Sequence, residues 1–319
     1  MSDIIVGLDA EWVFESKGHN HVLSYQFAVH NAASGRTETH IIYTIDGKRI
    51  TLQSGLEKAF SKAKRSGVIS EIPERFVMTG HFIRSDFSTL KNFHVLKRRV
   101  SAVRKTYATT KMPMRLKVGT TQCHIKLVDT TMLTPAGTPL ATIGDLLGEP
   151  KVELPDGYTK DRMDLFLQDH PTLFETYAVT DAVIPAKWVA RTYGLLRDKL
   201  GINKKVITLG GAAVELVRIQ ARGKSINLDA FLGQDKNHTA LPHLAPLLAI
   251  AAQAYHGACN VATALGYSPE GQTLNDFDIR AAYPTAVADR RAGLVGAALH
   301  RAASFGGDRG IHDGGAGSI

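Results

Sequence analysis

Four carboxylates carry the first chemical signal in this chain. Asp9 and Glu11 lie two residues apart at the end of the first apolar run, in Gly7-Leu8-Asp9-Ala10-Glu11-Trp12. Asp86 follows in His81-Phe82-Ile83-Arg84-Ser85-Asp86-Phe87, and Asp181 comes four residues after Tyr177 in Tyr177-Ala178-Val179-Thr180-Asp181. Hard divalent cations take oxygen ligands, and metal-assisted phosphodiester hydrolysis needs a small group of acids drawn from separate elements. Each motif is weak alone. A lone Asp-x-Glu is usually a solvent-facing pair, an acid such as Asp86 equally suits a helix N-terminus, and Tyr and Asp at this spacing often occur by chance. Their expected geometry nevertheless agrees. On a strand, residues i and i+2 share a face, so Asp9 and Glu11 can face one metal site. On a helix, i and i+4 share a face, so Asp181 can complete that site with the Tyr177 hydroxyl placed to hold an attacking water.

The elements that must position these groups follow from apolar periodicity. Ile4 to Leu8 reads as a buried strand. Val22 to Val29 and Glu38 to Ile45 read as two strands of a hairpin, with Ser34-Gly35 supplying the turn. Leu52 to Lys64 has apolar residues at helical spacing, and Gly67 is a stop signal. A strand from Arg75 to Thr79, a helix from Ser85 to Leu90 and a strand from His124 to Val128 come next. Thr142 to Leu147 and Leu165 to Ala190 read as helical, with interruptions at Pro171 and Pro185. Strand, hairpin, helix, strand, helix, strand, helix is the order of an α/β protein with a mixed sheet flanked by helices.

Bulk properties narrow the setting. At 319 residues the chain has room for about two domains. Its formal charge of +8 favours a polyanionic partner without requiring one. Cys123 and Cys259 are distant and lack zinc-ligand spacing, so two free thiols in a reducing compartment are expected. There is no membrane-length apolar run and no signal series at Met1-Ser2-Asp3-Ile4, so the expectation is a cytoplasmic protein with no membrane partner. Phe87 to Val128 holds ten Lys and Arg and no acid. That stretch reads either as a solvated basic surface or as a patch for single-strand phosphates, with Phe93 and Tyr107 as stacking platforms. Arg290 to Ile319 is rich in Gly, Ala and Arg and reads as poorly ordered.

Taken in order, Asp9, Glu11, Asp86, Tyr177 and Asp181 resemble the DEDDy class of 3'-5' exonucleases. That resemblance implies an RNase H-like fold, two Mg²⁺ or Mn²⁺ ions about 4 Å apart, and release of nucleoside monophosphates from single-stranded DNA 3' ends. The second half extends it. Asp278-Ile279-Arg280-Ala281-Ala282-Tyr283-Pro284 resembles the first palm motif of family-B DNA polymerases, and Tyr255-His256-Gly257-Ala258 resembles their Tyr-x-Gly-Gly/Ala linker motif. By this match Asp278 is a palm metal ligand, and Tyr283 stacks under the incoming sugar. Tyr255 and Gly257 handle the template strand of a primer-template DNA. Lys151-Val152-Glu153-Leu154 resembles the Lys-x-x-hydrophobic motif of the protein-primed branch, whose lysine assists at the exonuclease site and whose partner is a terminal protein. Thr142-Ile143-Gly144-Asp145-Leu146 resembles that branch's single-strand motif. A surface lysine and a helix N-cap threonine are the plainer readings of these two. Thr142, Phe87, Tyr255 and Gly257 form the implied DNA-contacting set.

The resemblance has departures. His81-Phe82 stands where an Asn-containing start is usual, and Arg280-Ala281-Ala282 is atypical for the palm motif. No fingers motif and no second palm carboxylate follow Pro284, so a polymerase site is expected to be incomplete here. The expected division is an exonuclease domain over 1–195, a linker and palm start over 196–290, and a tail over 291–319. The competing readings are a single-stranded DNA-binding remnant without catalysis, a stand-alone ribonuclease of the same class, and one piece of a full DNA polymerase.

Overall fold

The computed structural model describes residues 3–16, 19–103, 105–110 and 112–227. Tyr255, Gly257, Asp278, Tyr283 and the 291–319 tail lie outside the described residues. Strand β1 (Ile4–Ser16) runs well past the apolar segment that announces it. It forms a long hairpin with β2 (His19–Asn31), from Ile4 opposite Asn31 to Glu11 opposite Ser24. A register shift follows at Glu11/Trp12. β3 (Arg36–Tyr43) pairs antiparallel with β2 across the expected turn, where Gly35 takes a positive φ of 72°.

Helix α1 (Leu52–Arg65) is capped by Thr51, whose hydroxyl accepts from the Ser54 N–H at 3.2 Å. It buries Leu52, Leu56, Ala59, Phe60 and Ala63 against the sheet. β4 (Arg75–Gly80) lies parallel to β1, and the short helices α2 (Arg84–Ser88) and α3 (Phe93–Leu96) follow. β5 (Ser101–Val103) and β6 (Thr106–Ala108) form a small separate ribbon. β7 (Met114–Val118) and β8 (Thr121–Asp129) close the main sheet, whose order is β3-β2-β1-β4-β8-β7. β8 is parallel to β4, and β7 is antiparallel to β8.

The remaining elements are α4 (Leu140–Leu147), α5 (Met163–Asp169), α6 (Pro171–Leu200) and α7 (Leu209–Gly223). Pro171 does divide the predicted helix, because it occupies the first turn of α6 where its missing N–H costs nothing. Pro185 does not; α6 continues through it for four more turns. No described helix is long and apolar enough to cross a membrane. Alternation along β1 sends Val6, Leu8 and Ala10 to the α1 side, and Ile5 to the α6 side with Val77, Ala182 and Ala186. Asp9 and Glu11 are in phase with Ile5, so the strand delivers both to the α6 side.

Candidate active site

The acids meet where β1, α2 and α6 converge. Asp9, Glu11 and Asp181 each bring a carboxylate oxygen within 4.8 Å of the others. Asp86, in the first turn of α2, lines the same cleft without joining that triplet. The cleft holds about 270 Å³ and is also lined by Trp12, Tyr177 and Lys160. Gly7 explains why a helix residue can lie so close to a strand pair. A Cβ there would sit 1.9 Å from the Ala182 carbonyl oxygen, so only glycine lets α6 touch the β1 backbone one residue from Asp181. Pro185 removes the intrahelical hydrogen bond that the Asp181 carbonyl would otherwise accept.

The turn that leads into Asp86 is held by an aspartate that sequence reasoning passed over. Asp129, fully buried at the end of β8, accepts from the Phe82 N–H at 3.3 Å and the Ile83 N–H at 2.8 Å. It also accepts from the Thr131 N–H at 2.9 Å and from the Thr106 hydroxyl. These bonds fix the turn between β4 and α2, with Phe82 in the left-handed region at φ 57°, costly for a non-glycine residue by about 1–2 kcal/mol. Lys160 is the other addition. It lines the cleft, and its charge acts on both Glu11 and Asp181.

The electrostatics are those of an anion-rich cleft short of positive charge. Burial first, then Asp86, Glu11 and Asp181, push Asp9 well above the usual carboxylate range. Burial and then Glu11 do the same to Asp86. Burial and Asp181 push Glu11 up to about 7, against opposing pulls from Lys151 and Lys160. Burial raises Asp181, against Lys151, which is ion-paired with its Oδ2, and Lys160. The other oxygen, Oδ1, is buried with no hydrogen-bond partner. A buried carboxylate oxygen without a donor is costly, and a divalent cation among three converging carboxylates would supply the missing partner. These residues therefore fit a hard divalent cation.

A consequence for stability follows from the sign of the Glu11 shift. Its pKa is above the unfolded value, so protonated Glu11 stabilises the metal-free fold fully below about pH 4.5, and that contribution is lost as pH rises through about 7. The melting temperature of chelator-treated protein is expected to fall over that interval. Glu11→Gln should flatten the fall. A wild-type melting temperature that climbs across the same range in chelator would contradict this coupling.

Tyr177 is 4% exposed, four residues before Asp181, with its ring edge-on to Phe166 at 6.0 Å. Burial and the charges of Asp181, Glu11 and Asp9 raise its pKa far above the ordinary phenol value, so the hydroxyl keeps its proton. The Lys151 ammonium lies 4.5 Å from the centre of that ring while pairing with Asp181. Of the other expected contacts, Thr142 is exposed in α4, which Pro139 precedes as the capping residue. Thr142 neither caps the helix nor lines the cleft. Phe87 is fully buried. Its ring meets Phe93 at 6.3 Å and Tyr107 at 6.4 Å, and Arg84 covers Tyr107. The three aromatics pack on one another, with Phe87 fully buried and Phe93 and Tyr107 partly buried against the core.

A partly buried carboxylate cluster on a mixed α/β sheet, open to a cleft, defines a protein with a candidate divalent-cation centre. Comparison with known proteins narrows that class. The chain is 25% identical to the primer-independent DNA polymerase PolB of Escherichia coli over an alignment of 326 positions. The match takes in 89% of this chain and 37% of that protein, so the chain is related to a DNA polymerase of which it spans little more than a third. No family model matches the chain.

Proposed function

We propose that this chain carries the 3'-5' exonuclease site of a family-B DNA polymerase, of the DEDDy type, acting on single-stranded DNA 3' ends. The observation that carries the reading is the convergence of Asp9, Glu11 and Asp181 within 4.8 Å around an Asp181 oxygen with no donor. An RNase H-like fold is the matching architecture. It is supported by the sheet order, in which an antiparallel β3-β2-β1 meander continues into parallel β4 and β8. Similarity to the PolB polymerase supports DNA as the substrate.

In this reading two Mg²⁺ or Mn²⁺ ions supply activation of a water and neutralisation of the leaving 3'-oxygen. Asp9, Glu11 and Asp181 would hold them, with Asp86 lining the same cleft. The protonated Tyr177 hydroxyl donates or accepts at the attacking water, and its buried ring fixes the angle. Lys151 tethers one Asp181 oxygen, which would leave the other free to take an ion.

The test is incubation of the full chain with a 5'-labelled oligonucleotide and Mg²⁺ or Mn²⁺. A ladder of 3'-shortened products and free mononucleotides is expected, abolished by chelator. An unchanged oligonucleotide after prolonged incubation with either metal would overturn the proposal, and faster cleavage of the matched RNA would move the assignment to a ribonuclease. Tyr177→Phe should slow cleavage by about tenfold to a hundredfold while leaving Mn²⁺ affinity unchanged. A loss of Mn²⁺ affinity in that variant would show that the hydroxyl serves the ions and not the water.

A further inference from the structure

The α6 side of the sheet is covered over only part of its width. Among the described residues, helix α6 packs on β1, β2, β3 and β4 and meets β8 only at Val128, near that strand's end. On β7 and β8 the opposite, α1-facing residues are buried: Met114, Leu116 and Val118, then Cys123, Ile125 and Leu127. Their alternates face the side that α6 leaves open. Strand register makes those alternates a row. Arg75 is opposite His124, and His124 is opposite Arg115, so three adjacent strands present them side by side on one face. Lys126 lies two residues further along β8 on the same face, and Lys205, from the α6–α7 connection, closes the edge.

Together these groups line a groove of about 480 Å³ in which no acid takes part. Among the described residues, Arg75, Arg115, Lys126 and Lys205 make no ion pair within 4 Å. A solvated basic face is the ordinary end of such a stretch. This one differs because its cations are gathered along a concavity, Arg75 and Arg115 exposed, Lys126 and Lys205 partly withdrawn from water. Burial and the charge of Lys204 lower the pKa of Lys126, and burial lowers that of Lys205. Lys205 already feels the charge of Asp3 and lies 4.7 Å from the centre of the Tyr193 ring, so the charge left for a polyanion is that of Arg75, Arg115 and Lys126.

We propose that this groove binds the phosphodiester backbone of a DNA strand. Two inter-strand spacings separate Arg75 from Arg115, about 10 Å. That span takes about three phosphates of a strand rising roughly 3.4 Å per residue. The groove is separate from the acid cleft. Gly7 pairs with Thr79, so Asp9 lies six residues along the sheet from the level of Arg75, about 20 Å away. The site therefore holds a strand at a distance from the carboxylates, and it does so whether or not those carboxylates cleave.

The experiment is fluorescence anisotropy of a labelled oligonucleotide with the full chain in chelator, between about 50 and 200 mM salt. Arg75 and Arg115 are both exposed and both line the groove, so Arg75→Glu with Arg115→Glu tests it with little burden on folding. Affinity should fall at least about tenfold, and the salt slope should shrink by about one to one and a half, the share of two phosphate contacts. Lys97→Glu with Arg98→Glu makes the same change in net charge at exposed positions outside the groove and should cost less than about threefold. Lys126→Met keeps the buried stem, removes the charge and should weaken binding in the same direction. Equal losses in the groove and control variants, or unchanged affinity and slope in the groove variants, would overturn the proposal. Neither outcome bears on cleavage, which is read separately with metal present.

Discussion

Asp9→Ala is expected to reduce 3'-end cleavage by about 10²–10³-fold or more, the scale on which loss of a charge-stabilising group in a reaction centre acts. Asp9 belongs to the triplet with Glu11 and Asp181, and its charge is also felt by Tyr177. Without it a cation loses one of three converging ligands. The same substitution removes a negative charge from a cleft where Asp86, Glu11 and Asp181 oppose its ionisation. The metal-free variant should therefore melt no lower than wild type at neutral pH. This pairing of outcomes separates a metal-binding role from a structural one. An inactive variant that is also strongly destabilised in chelator would mean that Asp9 holds the fold, and full activity would remove the exonuclease assignment. Added Mg²⁺ or Mn²⁺ should raise the melting temperature of wild type and much less that of Asp9→Ala, because only a folded site with its ligands intact gains from the ion.

How far these groups could be read in advance depended on whether their signal was local. Asp9, Glu11, Asp86, Tyr177 and Asp181 were legible because strand and helix periodicity already says which residues share a face. All five line one small cleft. The hairpin and α1 were equally plain, since Ser34-Gly35, Thr51 and Gly67 punctuate them. β1 was read as ending at Leu8 because two acids interrupt its apolar run. The strand continues because β2 supplies backbone partners as far as Ser16, a fact about another segment. Pro185 was taken for a break, yet packing on both sides holds α6 across it. Asp129 and Lys160 had no motif, since one acts through backbone N–H groups 46 and 47 residues away and the other reaches the cleft from a single 3-10 turn, Lys160–Arg162. Helix α7 carried a legible cap at Thr208, accepting from the Gly211 N–H at 2.8 Å, and was missed for want of a strong apolar stripe. Phe93 and Tyr107 show the limit of composition. A basic segment with aromatics suggests stacking on bases, but only the fold reveals that the rings had already found one another.

Gly7→Ala is expected to be the most damaging small substitution in the described chain. The added Cβ would lie 1.9 Å from the Ala182 oxygen and 2.9 Å from the Ala182 carbonyl carbon, and both are backbone atoms of a thirty-residue helix. No side-chain rotation relieves that contact, so α6 must move away from β1. Overpacking of this kind costs on the order of 3 kcal/mol, and the helix also carries the Ala182, Ala186 and Val189 side of the core. Gly35→Ala is the comparison. Gly35 has a positive φ but open space around it, so its cost is the roughly 1 kcal/mol of a left-handed non-glycine residue. Chemical denaturation should therefore rank the two variants clearly, with Gly7→Ala the lower. The displacement has a second consequence, because Asp181 precedes Ala182. Whatever fraction of Gly7→Ala still folds should bind Mn²⁺ more weakly and cleave more slowly than its stability alone accounts for, as its carboxylate is drawn away from Asp9 and Glu11. A variant with wild-type midpoint and wild-type Mn²⁺ affinity would show that close packing of α6 on β1 is not what assembles the carboxylate triplet.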